Sequence, residues 1–166
     1  MNELYAEASV KKKETAGSFL IRFLLIFLGV VSFMLSFISS FLIIFAVAII
    51  IGIIFYFPRL SVEYEYVFCD GQLDFDKIMG NAKRKNALRI DMEQVSMVAP
   101  EGSHELDQFN HLQNVKVKNF ASGDSNAKRY VIMTQTGNQS TKIIFEPSEK
   151  MLTCMKQKSP RKIISY

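Results

Sequence analysis

The chain has 166 residues, with 20 Lys and Arg against 16 Asp and Glu and a hydrophobic fraction of 49%. That length leaves room for one folded domain beside any membrane segment, and a net charge of +4 is too small to argue for nucleic acid as a partner. No GxSxG, HExxH or glycine-rich phosphate loop occurs, so nothing points to an enzyme, a cofactor, a metal or a small-molecule substrate.

Residues 1–17 mix acidic and basic side chains and read as a frayed basic leader. A short interfacial helix from Glu3, Leu4, Tyr5, Ala8 and Val10 is the alternative. The largely apolar run from Ser18 to Phe57 follows, with Arg22 as its one charge. As one continuous helix it would extend about 60 Å, twice the hydrocarbon thickness of a bilayer. Two crossings fit instead, over 18–37 and 41–57, with a turn at Phe37-Ile38-Ser39-Ser40-Phe41 where serine hydroxyls can serve the backbone. Pro58 ends the second helix, and Tyr56 and Phe57 suit an interfacial aromatic belt. Lys11, Lys12 and Lys13 precede the first crossing, Arg22 can snorkel toward them, and Arg59 follows the second, whereas the turn is uncharged. The positive-inside rule then puts both termini in the cytoplasm of a multi-pass cell-membrane protein. Gly29, Gly52, Ser32 and Ser36 can let the two helices approach closely.

From residue 58 onward the chain carries sixteen Lys and Arg against thirteen Asp and Glu, a mild surplus suited to an anionic leaflet. Val62, Tyr64, Tyr66 and Phe68 alternate with polar neighbours as a half-buried strand does. Asp70-Gly71 is a strong hairpin signal, with the return strand over 72–79. Gly80-Asn81 makes a second turn, and a third strand over 83–92 points Leu88, Ile90 and Met92 inward and Arg89 and Asp91 outward. Further short strands are expected at 95–99, 115–120, 129–136 and 141–145, with turns at 121–126 and Gly137-Asn138. Between them, 103–114 is a polar loop with a helical turn near His104–Phe109. Pro147 suits a helix start, giving a terminal helix over 147–159 with Met151, Leu152 and Met155 as its apolar stripe. The fold class is thus an α+β membrane protein: a helical hairpin, then an antiparallel barrel or sandwich of about seven strands, then a C-terminal α-helix that plugs it. The core is expected from Tyr64, Tyr66, Leu73, Phe75, Leu88, Ile90, Val117, Ile132, Ile143 and Phe145. Cys69 and Cys154 are expected to be free and packed.

The anchor hairpin, Tyr64-Glu65-Tyr66, Asp70-Gly71-Gln72-Leu73, the strand start Lys83-Arg84-Lys85 and the helix start Glu146-Pro147-Ser148 occur in one order. In that order they resemble small, functionally uncharacterised bacterial membrane proteins that carry a pleckstrin-homology-like (PH-like) domain. The resemblance implies binding, scaffolding or lipid contact and no chemistry.

Among candidate sites, His104 and His111 with Glu105 and Asp107 lack firm metal-ligand spacing and read as solvated loop residues. Asp74 and Asp76 share the outward face of one strand, too exposed for an acid–base pair. Lys83, Arg84, Lys85 and Arg89 form the densest basic cluster, either a lipid or partner contact or ordinary edge-strand charge. Lys156, Lys158, Arg161 and Lys162 near the terminal helix end complement its dipole. Two functions stay open: a membrane module that binds a protein partner or self-associates, and a sensor of anionic lipid through residues 83–89. Topology, cluster exposure and crosslinking from membranes separate them.

Overall fold

The structure is a computed structural model that describes residues 4–39, 41–80, 83–112, 114–136 and 139–165. Its first strand lies where the sequence suggested a frayed leader or an interfacial helix. Tyr5–Lys11 forms β1, and it pairs antiparallel with β2, Val62–Cys69, in a register running from Tyr5 opposite Cys69 to Lys11 opposite Glu63. Alternation explains the strand: Ala6 is fully buried, Ala8 and Val10 pack on the core behind it, and Tyr5, Glu7 and Lys11 face outward.

The apolar run is therefore inserted between two hydrogen-bonded strands. It forms α1, Ala16–Leu35, and α2, Leu42–Leu60, which pack on one another. Ile49 and Ile53 lie 3.5 and 3.8 Å from where a Gly29 side chain would begin, so Gly29 lets the helices approach; nothing packs near Gly52. α1 ends at Leu35, before the expected turn at 37–41, and Ser36 Oγ donates to the Phe33 carbonyl just beyond it; Ser40 lies outside the described residues. At the base of the pair, Arg22 reaches back to Glu14 at 2.6 Å and lies 5.9 Å over the Phe57 ring.

Together with β1, the strands beyond α2 form two four-stranded sheets among the described residues. The first has the order β1-β2-β3-β4, with β3 Gln72–Met79 and β4 Lys83–Asp91. The second has the order β5-β7-β8-β6, from β5 Val95–Pro100, β6 Lys116–Asn119, β7 Tyr130–Thr136 and β8 Gln139–Phe145. The structure is a sandwich, and among the described residues neither sheet closes into a barrel. The Asp70-Gly71 hairpin has the positive φ at both positions (+43° and +103°) that a two-residue type I′ loop demands. The expected turns at Asn81 and at Gly137-Asn138 lie outside the described residues.

Between the sheets, Tyr66, Phe75, Phe120 and Phe145 form an aromatic cluster with ring centroids 4.8–5.7 Å apart. The expected core holds except at two positions. Leu88 is half-buried, and Val117 is 59% exposed, because β6 pairs parallel to β8 and sets Val117 beside Lys142, leaving Phe120 to fill the core. A 3₁₀ helix, His104–Phe109, leads into the strands beneath it, with Gln108 3.6 Å from the Met97 sulfur.

The terminal helix, α3 Glu149–Lys158, is capped by Ser148, whose side chain accepts from the Met151 N–H. It packs on β1 and β2 and buries Met151, Cys154 and Met155; Leu152, expected in that stripe, is only half-buried. Cys154 is thus free and packed, whereas Cys69 is free and exposed.

Candidate functional site

The basic stretch of β4 divides between two faces, and a bulge divides it. From Leu73 opposite Ile90 to Phe75 opposite Leu88 the β3–β4 register is regular, but Asp76 lies opposite Asn86, so Ala87 is the extra residue. One inserted residue exchanges the faces beyond it. Arg84 and Asn86 therefore turn to the outer face of the first sheet, and Lys83 and Lys85 turn to the other. Unbroken alternation from Leu88 and Ile90 would have placed them the opposite way.

On the outer face the arginines are engaged by the sheet's own carboxylates. Glu65 and Asp76 lie directly opposite one another on β2 and β3, and Arg84 bridges them, 2.6 Å from Asp76 and 3.0 Å from Glu65. Asn86 adds a 2.9 Å hydrogen bond to Asp76, which is only 7% exposed, so the expectation of an exposed Asp76 is corrected. Like charges facing across a ladder repel, and the guanidinium between them removes that cost. Arg89 forks onto Asp74 through two bonds of 2.6 and 2.9 Å. The hydrogen bonds to Asp76 and Asp74 push both guanidinium pKa values up, so these groups are held as cations by their own sheet.

Lys83 and Lys85 are exposed and form no ion pair among the described residues. They lie at the end of the sheet next to the apolar helices. The Gly80 N–H donates to the Ser61 carbonyl, and a Gly80 side chain would begin 2.4 Å from Pro58, so the β3–β4 turn is pressed against the exit of α2. Lys12 donates its backbone N–H to Val62 and Lys13 to Ser122, which brings the leader lysines and the 120–129 loop to the same end. Lys77, opposite Lys85, was missed by the sequence reading; the β3–β4 hairpin signal was the clue that could have paired them.

The second basic cluster is mostly occupied. Lys158 pairs with Asp70 at 2.9 Å, Lys156 bonds Ser165, and Lys162 donates to the Met92 and Glu93 carbonyls. His104 lies in the open 3.3 Å from Asp107, and among the described residues no group of three His, Cys, Asp or Glu is placed to hold a metal ion. Tyr66 is the most perturbed ionisable group: burial pushes its phenol far up, and its hydroxyl donates at 2.5 Å to the Phe120 carbonyl. The hollows are open and shallow, one of about 420 Å³ beside α3 lined by Tyr130, Leu152 and Lys156, another of about 400 Å³ between Lys11–Glu14 and Ser122.

Among the described residues one helix, Ala16–Leu35, is long and apolar enough to cross a membrane, with a mean hydropathy of 2.4. No curated protein and no solved structure matches the chain. A family profile described as "Bacterial PH-like domain (DUF6106)" matches residues 2–165, spanning β1, the apolar helices, both sheets and α3. The chain belongs to this bacterial PH-like domain family.

Proposed function

We propose that the chain is an integral membrane protein whose α1–α2 hairpin crosses the bilayer twice and holds the PH-like domain against the cytoplasmic face. There the domain acts as a non-catalytic binding and scaffolding module for a protein partner. One observation carries the topology: β1 and β2 pair along their whole length, so the hairpin leaves and re-enters the domain on the same side. An even number of crossings follows. The helices also expose large apolar side chains on all sides, including Phe19, Phe23, Phe27, Ile44 and Phe55. A surface of that extent is foreign to water-soluble domains. The lysines at the base, against an uncharged tip, favour the cytoplasmic side. Binding suits a domain in which the buried Asp76 and Tyr66 are both engaged in structural bonds.

The exposed Cys69 supplies a native test. A membrane-impermeant maleimide should label it only after the cells are opened, whereas a Ser39→Cys tip should be labelled from outside. Labelling of Cys69 in intact cells would overturn the topology. Crosslinking in membranes tests the module: a discrete adduct larger than the monomer is expected, and none across reagents of different reach would remove the protein partner.

A further inference from the structure

We infer that the outer face of the second sheet carries a binding site for a small aromatic carboxylate. Its ring lies against Val131 and Met133, and its carboxylate meets Lys142. Such a site stands apart from the scaffolding role and does not depend on it.

Alternation along the strands gives this sheet two sets of side chains. Ile132 and Ile143 enter the core between the sheets, so Val131, Met133 and Lys142 face the other way. Register extends the second set into a row: Met97 opposite Met133, Met133 opposite Lys142, and Lys142 beside Val117 on the parallel β6. Three of these four are apolar, yet the face is not bare. Val131 is 0% exposed and Met133 5%, although neither belongs to the core between the sheets. The segment between β5 and β6 covers them. Its 3₁₀ helix and the residues after it lay Leu106, Phe109 and Leu112 over the sheet, and Gln108 reaches the Met97 sulfur at 3.6 Å.

The cover is incomplete. Between Leu106, Phe109 and Leu112 on one side and Val117, Val131 and Met133 on the other there remains a hollow of about 190 Å³. An apolar cavity of about 150 Å³ is enough to take up benzene, so this hollow matches one ring with a short substituent. Two features set the chemistry of the ligand. Val117 stands 59% exposed on the wall, so a bound ring removes from water an apolar surface that the fold itself leaves wet. Among the described residues of the lining, Lys142 is the only charged one. A lysine in that place lays its stem along the apolar row and keeps its ammonium at the rim. Asn110, the other polar side chain, already donates to Asp107 at 3.1 Å. One cation beside an apolar hollow complements one carboxylate on an apolar body.

Methionine-methyl NMR on the full-length chain in nanodiscs tests this, with phenylacetate as the probe and phenylacetamide as its neutral counterpart. The Met133 and Met97 resonances should shift and saturate at millimolar phenylacetate, the range open to a ligand of about ten non-hydrogen atoms. Those of Met151 and Met155, in the core, should stay in place. Phenylacetamide should bind about tenfold more weakly, the loss of one charge-assisted hydrogen bond, and Lys142→Met should bring the two probes to the same affinity. Leu112→Trp fills the hollow from its half-buried cover and should abolish both shifts without moving Met151 or Met155. No shift at Met133 with either probe overturns the proposal, and so does equal binding of acid and amide to the parent chain. A shift that survives Leu112→Trp puts the probe elsewhere and overturns it as well. A Met133 shift that appears without probe when two chains share a disc would mean that a second copy covers the hollow, which also overturns it. Each of these outcomes leaves the membrane reading untouched.

Discussion

The helices α1 and α3 are built from the same backbone and meet opposite surroundings. α1 is twenty residues long, buries no side chain, and turns Phe, Leu and Ile outward in every direction. α3 is ten residues long, buries Met151, Cys154 and Met155 on one stripe, and shows Glu149, Lys150 and Lys156 elsewhere. A helix that packs against a protein core needs one apolar face; a helix apolar all round needs an apolar solvent. The contrast assigns α3 to the sandwich and supports the proposed membrane placement of α1 and α2, although β1 and β2 tie both to one sheet.

The largest effect should come from charging the face that α3 buries. Met155 is fully buried within the hydrophobic core cluster. Met155→Asp should cost about 3–5 kcal/mol, a large share of the roughly 5–15 kcal/mol of a typical domain. The thermal transition of the sheets in the full-length chain should be lost, while the fraction of chain in the membrane stays unchanged. Ile26→Asp, at the exposed middle of α1, should do the reverse. Asp at a helix centre costs insertion about 2.5–3.5 kcal/mol, so membrane retention should drop while the melting temperature of the sheets holds. Any outcome in which one substitution damages both regions equally breaks the comparison.

Within the core, Tyr66→Phe should cost about 1–2 kcal/mol, because the Phe120 carbonyl loses its buried donor. The same residue gives a pH signature. Burial raises the phenol pKa of Tyr66, and to a lesser extent of Tyr64, so the folded state prefers the protonated form. The unfolded chain releases that proton above about pH 10, so stability is fully present below that pH and falls as pH rises through it. Melting curves between pH 8 and 11 should show the fall, and Tyr66→Phe should flatten it.

What the sequence made legible was local. The apolar run, the Asp70-Gly71 hairpin, the strand phases on either side of it and the terminal helix, expected from Pro147 and observed from Glu149, each depend on neighbours within a few residues. β1 escaped because Ala6 and Ala8 carry too little apolar signal and their partners, Phe68 and Tyr66, lie beyond the entire apolar run. The inward Leu88 and Ile90 and outward Arg89 agree with the alternation, but the faces of residues 83–86 were not legible because Ala87, unlike a glycine, gives no sign of a bulge. Val117 was placed in the core because a four-residue strand states its alternation but not its partner, and the parallel pairing with β8 reverses its role. The candidate cluster was found as a stretch, but its division into paired arginines and open lysines depends on cross-strand register.

The smallest effect sharpens the comparison inside α3 itself. Met151 and Leu152 are consecutive, so about 100° of helix rotation separates them. Met151 is fully buried under the sheets, whereas Leu152 is half-buried on the wall of the open groove beside Tyr130, Lys128 and Lys156. A carboxylate at 152 can turn into that groove, keep its water and lie near two lysines, so it does not enter the core. Leu152→Asp should therefore cost only about 1 kcal/mol, the part of the apolar contact it gives up, against the several-kcal/mol loss expected at Met155. Melting the two variants side by side in the full-length chain measures how narrow the buried stripe is. A loss at Leu152 equal to that at Met155 would mean that α3 sits rotated toward the groove, with Leu152 as a third core residue.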